Sequence, residues 1–152
     1  MTTIVGARAA AKARLQASGS GITPELRFKG DQQEPLPDTP APFAMVVFDN
    51  QGSGGGPTAF GGGRGNNLYR NRASLEIWTF SPNDEGEDVV LAHAETIAAW
   101  MRSFRDSDIS CFSADVIPVG AGAGISPPGM DSDVSNYQVA LVEVTLHFDQ
   151  IG

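Results

Sequence analysis

Hydrophobic and polar positions alternate most regularly over residues 136–148. One side of this segment is apolar, with Ala140, Val142, Val144, Leu146 and Phe148. The other side is polar, with Glu143, Thr145 and His147. A period of two is typical of a β-strand with one buried face, so the segment is predicted to be a strand. His147 is accordingly predicted to be a solvated or interface residue.

Three further segments have strand patterns. Residues 43–48 are continuously apolar and too short for a helix, which favours a strand buried on both faces. Residues 69–80 alternate, with Ala73, Leu75, Ile77 and Thr79 on one side. Residues 109–119 form the third, and Pro118 is expected to end it, because proline donates no ladder hydrogen bond.

Two segments are predicted to be helices. Residues 3–17 are rich in Ala, Arg, Lys and Leu, and a narrow stripe of Ile4, Ala7, Ala11 and Leu15 recurs on one face. Residues 87–104 follow a carboxylate-rich entry and carry a stripe of Val89, His93, Ile97, Trp100 and Phe104, predicted to face the core. His93 is expected to be a core or boundary histidine rather than a ligand.

The element order is helix, strand, strand, helix, strand, strand. This order predicts an α+β fold of two layers, in which the helices cover one face of an antiparallel sheet of about four strands. The length of 152 residues suits one domain spanning residues 1–152.

Glycine- and proline-rich segments separate these elements. Residues 52–65 contain few apolar side chains apart from Phe60, so they are predicted to form a mobile hairpin loop that orders only against a partner. Residues 30–42 are proline-rich and are expected to form an extended strap. Residues 120–135 are predicted to form a second flexible loop.

Composition narrows the function classes. The net charge of −8 disfavours binding to nucleic-acid phosphates. Arg64, Arg70 and Arg72 nevertheless cluster after the glycine-rich loop, and two interpretations stay open: they pair with acidic groups here or on a neighbouring subunit, or they are randomly placed surface residues. The single cysteine, Cys111, is expected to be a buried hydrophobe in a protein from a reducing compartment. No apolar run has the length of a secretory or membrane-spanning segment, so a soluble protein without a signal peptide is expected.

Candidate chemistry is sparse. The glycine-rich loops lack the phosphate-binding patterns, and the two histidines lie on separate elements, which does not support Ser/His/Asp or Cys/His catalysis. The carboxylates around Asp84 and Asp131 lack a calcium-loop pattern and are expected to be caps and solvated turns. The sequence therefore predicts neither an enzyme nor a bound cofactor or metal.

The layout of the chain resembles the tail terminator, or head-to-tail joining, proteins of long-tailed bacteriophages and gene transfer agents. The features that carry the resemblance are the N-terminal helix, the proline-rich lead-in to residues 43–48, the long loop into Tyr69-Arg-Asn-Arg-Ala-Ser-Leu-Glu-Ile-Trp, the single helix 87–104 and the closing strand Val139-Ala-Leu-Val-Glu-Val-Thr-Leu-His-Phe. The resemblance covers nearly the whole chain and contains no invariant motif. The glycine-rich loop is longer than is usual in the family.

The resemblance implies a virion structural protein, assembled in the host cytoplasm, that forms a ring, typically of six copies. Such a ring caps the tail tube and joins it to the neck protein, while DNA passes through its lumen without specific binding. Residues expected at interfaces are Ala7, Ala11, Phe60, Arg64, Arg70 and Arg72, together with exposed strand edges. Two alternatives remain open, which are another neck, connector or minor tail protein and, in a different class, a small soluble ligand-binding module.

Overall fold

The computed structural model describes residues 2–49, 58–125 and 133–151, and of residues 58–60 it describes only the main chain. Two helices are present in these ranges, α1 (Ile4–Gln16) and α2 (Glu87–Met101). The strands are β1 (Glu25–Phe28), β2 (Phe43–Asp49), β3 (Thr58–Phe60), β4 (Leu68–Pro82), β5 (Ser110–Ala121) and β6 (Tyr137–Ile151). One sheet has the order β1-β2-β4-β6-β5, and β3 pairs with β4 beyond the end of β2.

The α+β class is confirmed, but the prediction of about four antiparallel strands is wrong in two respects. β1 was not predicted and pairs with β2 in parallel, which makes the sheet mixed. β1 has four residues, too few for a periodic signal. β3 lies inside the segment 52–65 that was predicted to be a mobile loop, and residues 52–57 of that loop lie outside the described residues.

One face of the sheet carries the main core. The predicted inward side of β6 is confirmed, since Ala140, Val142, Val144, Leu146 and Phe148 are all buried. Ala73, Leu75, Ile77 and Thr79 of β4 are buried as predicted. Both helices lie on this face and pack against it. β5 continues through Pro118 to Ala121, and a register shift between Pro118 and Gly120 accommodates the proline on an edge strand.

The predicted phase of α2 is confirmed only in part, since Ile97 lies in the main core and half-buried Trp100 and Phe104 pack against it. The residues that α2 buries against the sheet are Val90, Ala94, Ile97, Ala98 and Met101. Of the predicted stripe only Ile97 belongs to this set, and His93 is half-buried near Thr23. The predicted stripe was assigned from the spacing of the large side chains. In the structure, small alanines also face the sheet and let the helix backbone approach it. The helix ends at Met101, before Phe104, as Ser103 takes a positive φ of 60°.

The helix α1 is capped by Thr3 and packs against the core through its small residues. The hydroxyl of Thr3 accepts a hydrogen bond from the N–H of Gly6. Ala7, Ala11 and Leu15 are buried, whereas Ile4 is exposed. The prediction of a narrow alanine face is confirmed at the three buried positions.

The opposite face of the sheet, which we call the outer face, has a smaller core at one end. The rings of Phe43 and Phe80 stack at a centroid distance of 4.5 Å, and Tyr137 meets both rings edge-on. Leu36, from the proline-rich segment, packs against this cluster. Residues 43–47 are therefore buried on both faces, as their continuous apolar run predicted.

Candidate functional site

Three strands continue past the ends of β2 and β5 at one end of the sheet. There β4 pairs with β6 from Leu68↔Ile151 to Arg72↔His147, and β3 pairs with β4 from Thr58↔Arg70 to Phe60↔Leu68. The ladder of β2 ends at Ser74 and that of β5 ends at His147. We call this three-stranded segment, residues 58–72 and 147–151, the extension.

An ion pair holds the two long strands of the extension together. The guanidinium of Arg70 donates two hydrogen bonds to the carboxylate of Asp149, at 2.8 and 2.9 Å. These bonds lower the pKa of Asp149 and raise that of Arg70. The prediction that the arginine cluster meets an acidic group is thus confirmed for Arg70, within its own chain.

The other predicted interface residues fall into two groups. Arg64 and Arg72 are exposed on the extension, and neither forms a salt bridge with any residue that the structure describes. The main chain of Phe60 belongs to β3, and its side chain lies outside the described residues. Four of the six residues predicted to lie at interfaces therefore belong to the extension, namely Phe60, Arg64, Arg70 and Arg72.

Ala7 and Ala11 do not belong to that surface. They are 0% and 1% exposed, and they lie in the core that α1 forms with the sheet. A small-residue stripe was interpreted as a contact between subunits, but it serves close packing within the chain. The assignment of these two residues to an interface is therefore corrected.

The strand edges that were predicted to lie at interfaces also form hydrogen bonds within the chain. On β5, the N–H of Cys111 donates to the carbonyl of Phe104, and the guanidinium of Arg102 donates to the carbonyl of Ala114. Beside β1, buried Arg27 donates to the carbonyl of Glu34 in the proline-rich segment. Such contacts and Pro118 hinder pairing with another chain, so these edges offer less contact surface than predicted.

His147 lies where the extension meets the outer face. Its ring lies 4.3 Å from the ring of Phe112, which is 57% exposed, and its Nδ1 is buried without a hydrogen-bond partner in the described chain. Burial, followed by the charges of Arg70 and Arg72, lowers the pKa of His147 below 6.5, while Asp149 opposes this shift. The sequence predicted a solvated or interface histidine here but did not indicate its contact with Phe112, whose exposure the alternation of β5 could have indicated.

This pKa shift predicts a dependence of stability on pH. Because the folded state disfavours the protonated ring, the unfolded chain binds more protons as the pH falls through 6.5. The contribution of His147 to stability is therefore complete above that pH and decreases below it. We expect the free energy of unfolding to fall between pH 7.5 and 5.5, and to fall less in His147→Gln. NMR titration of the ring would contradict this if it gave a pKa of 6.5 or more.

A pocket of about 450 Å³ opens beside the extension, between the turn after α2 and the end of β6. Arg105, Asp106, Phe112 and His147 are among its lining residues. Asp106 accepts hydrogen bonds from the N–H groups of two following residues, Asp108 and Ile109, so its carboxylate stabilises the turn. Burial raises the pKa of Cys111, which also lines the pocket, to about 11, so its thiol is not activated as a nucleophile.

Within the described ranges no group of three or more His, Cys, Asp or Glu side chains is arranged to hold a metal ion. No helix there is long and apolar enough to cross a membrane. The candidate functional features are the extension, with its exposed arginines, and the open pocket beside it. Comparison with protein-family models and with characterised proteins finds no match for this chain.

Proposed function

We propose that this protein is a virion structural protein of the tail terminator type, which forms a ring that ends the tail tube and joins it to the neck. The observation that carries the proposal is the extension, which continues past the ends of β2 and β5 and presents Arg64 and Arg72 without described ion-pair partners. The resemblance in layout to terminator proteins supplies the biological context.

The geometry is compatible with a ring. The extension lies at one end of the sheet, so a contact between it and another part of a neighbouring copy is head-to-tail, and such contacts generate rings when the rotation closes. The edges of β1 and β5 are covered by contacts within the chain, which disfavours the addition of strands from other copies without limit. Such addition would compete with closure of the ring. The proposed contacts therefore involve side chains of the extension rather than long sheet edges.

The proposed partners are further copies of this chain, typically six in a ring, the tail tube protein and a neck or connector protein. Genomic DNA would pass through the lumen without specific binding, because a chain with a net charge of −8 repels phosphates. The proposed location is the tail and neck region of a virion assembled in the host cytoplasm. Another neck, connector or minor tail protein is a close alternative.

The pocket beside the extension favours one alternative of a different class, a small ligand-binding module. Its volume of about 450 Å³ lies in the range of small-molecule sites, and it brings together an aromatic ring, a histidine and an arginine. A ligand-binding module would remain a monomer and gain thermal stability with a ligand.

Light scattering across a range of protein concentrations tests the proposal. We expect a discrete species of several copies that forms reversibly as concentration rises. A monomer at every concentration would contradict a self-assembling ring, and thermal stabilisation of that monomer by a small molecule would favour the ligand-binding module.

A further inference from the structure

A second charged surface lies at the other end of β4. The strand leads directly into a short 3₁₀ turn, Asn83–Glu85, and then into α2. The segment carries four exposed carboxylates, those of Asp84, Glu85, Glu87 and Asp88. None of them forms a salt bridge within residues 2–49, 58–125 and 133–151. We call residues 83–88 the acidic turn.

The acidic turn is held in place by Asn83. Its main-chain N–H donates to the carbonyl of Asn136, and its side-chain amide donates to the carbonyl of Ser135. Its side-chain oxygen accepts a hydrogen bond from Gln138 on β6. The carboxylates are therefore presented from an ordered segment, so less conformational entropy is lost when a partner binds them.

The two charged surfaces cannot meet within one chain. Five of the 15 residues of β4 belong to the extension, and the remaining ten, at about 3.3 Å per residue, separate the extension from the acidic turn by roughly 35 Å. Arg64 and Arg72 at one end and the four carboxylates at the other are complementary in charge. Only a second copy, placed head-to-tail, can bring them together.

We infer that the extension of one copy docks on the acidic turn of the next, so that Arg64 and Arg72 face the carboxylates of a neighbouring subunit. This inference rests on the proposed ring and identifies its two contact surfaces. Each copy presents its extension to one neighbour and its acidic turn to the other, so the interface is heterologous. Its strength depends on exposed charges and decreases as salt concentration rises.

Two charge-reversed proteins test this inference. The first carries Arg64→Glu and Arg72→Glu, which makes both of its contact surfaces acidic. The second carries Asp84→Arg, Glu85→Arg and Glu87→Arg, which leaves one carboxylate beside three arginines and so makes the acidic turn positive. Each protein alone should associate about tenfold or more weakly than the wild type, because like charges then meet at every contact.

An equimolar mixture of the two proteins should recover assembly, since copies of the two kinds can alternate around a ring. Matched controls are Lys29→Glu and Glu95→Arg, which reverse exposed charges outside both surfaces and should assemble like the wild type. Circular dichroism of all variants establishes that each remains folded.

The outcomes separate the inference from the proposed function. If the wild type assembles and both reversed proteins assemble equally well, the contact surfaces are wrong although the ring stands. If each reversed protein fails alone and the mixture fails too, the pairing of these two surfaces is wrong. If the wild type itself stays monomeric, the ring is refuted and the inference with it.

Discussion

Replacing Ala98 by glutamate should destabilise the protein by about 4 kcal/mol or more, a large part of the stability of a domain of this size. Ala98 is 0% exposed on the face of α2 that packs against the sheet, where Val142 and Val144 belong to the same core. A glutamate there must either bury a carboxylate without a partner or force the helix away from the sheet. Chemical denaturation measures the loss.

The neighbouring residue provides the control. Ala99 is exposed on the same helix, so Ala99→Glu makes the same chemical change in water. Its cost should stay below about 1 kcal/mol, mostly from repulsion by Glu95 one turn earlier. Equal losses in the two variants would show that the phase of α2 is not the one described.

Replacing Trp100 by alanine should cost about 2–4 kcal/mol, for a different reason. The indole is half-buried against the main core and also joins the ends of the two helices. Its Nε1–H donates to the carbonyl of Arg14 at 2.7 Å, and the guanidinium of Arg14 donates back to the carbonyl of Trp100 at 2.7 and 3.2 Å. The guanidinium carbon also lies 3.4 Å from the centroid of the indole ring.

These contacts satisfy carbonyl groups in the last turns of both helices, where the regular helical hydrogen bonds run out. The carbonyl of Arg14 otherwise accepts a long hydrogen bond of 3.4 Å from the N–H of Ala17. Alanine removes the cation–π contact, the hydrogen bond and the apolar area together. Trp100→Phe keeps an aromatic ring over Arg14 and should cost only about 1 kcal/mol. Thermal unfolding of the two variants checks the order. A wild-type melting temperature for Trp100→Ala would contradict the role of this contact.

The strands of the sheet were the most predictable part of the fold. Period-two alternation located β6 and the inward side of β4, because burial on one face of a strand leaves a direct record in the sequence. β1 could not be found in this way, as its four residues gain their stability from pairing with β2. The order of strands likewise depends on contacts between distant residues.

Helix faces were harder to predict than strands. In α2, alanines at positions 94 and 98 face the core while Trp100 points toward α1, so side-chain size misled the assignment. In α1, the alanine stripe was located correctly but its partner was not, because a narrow small-residue face suits both a core and an interface.

The candidate site was predictable in part. The cluster of Arg64, Arg70 and Arg72 stands out in the sequence, and the structure brings these positions together on the extension. Asp149 as the partner of Arg70 could not be predicted, since it requires the register of β4 on β6. The same holds for the ring of Phe112 beside His147.

Electron microscopy of the purified protein tests whether the chain forms a closed ring. At concentrations where light scattering shows association, we expect closed rings with one fixed number of subunits, typically six, and an open lumen. A field of monomers, or filaments without closure, would contradict a ring-forming terminator.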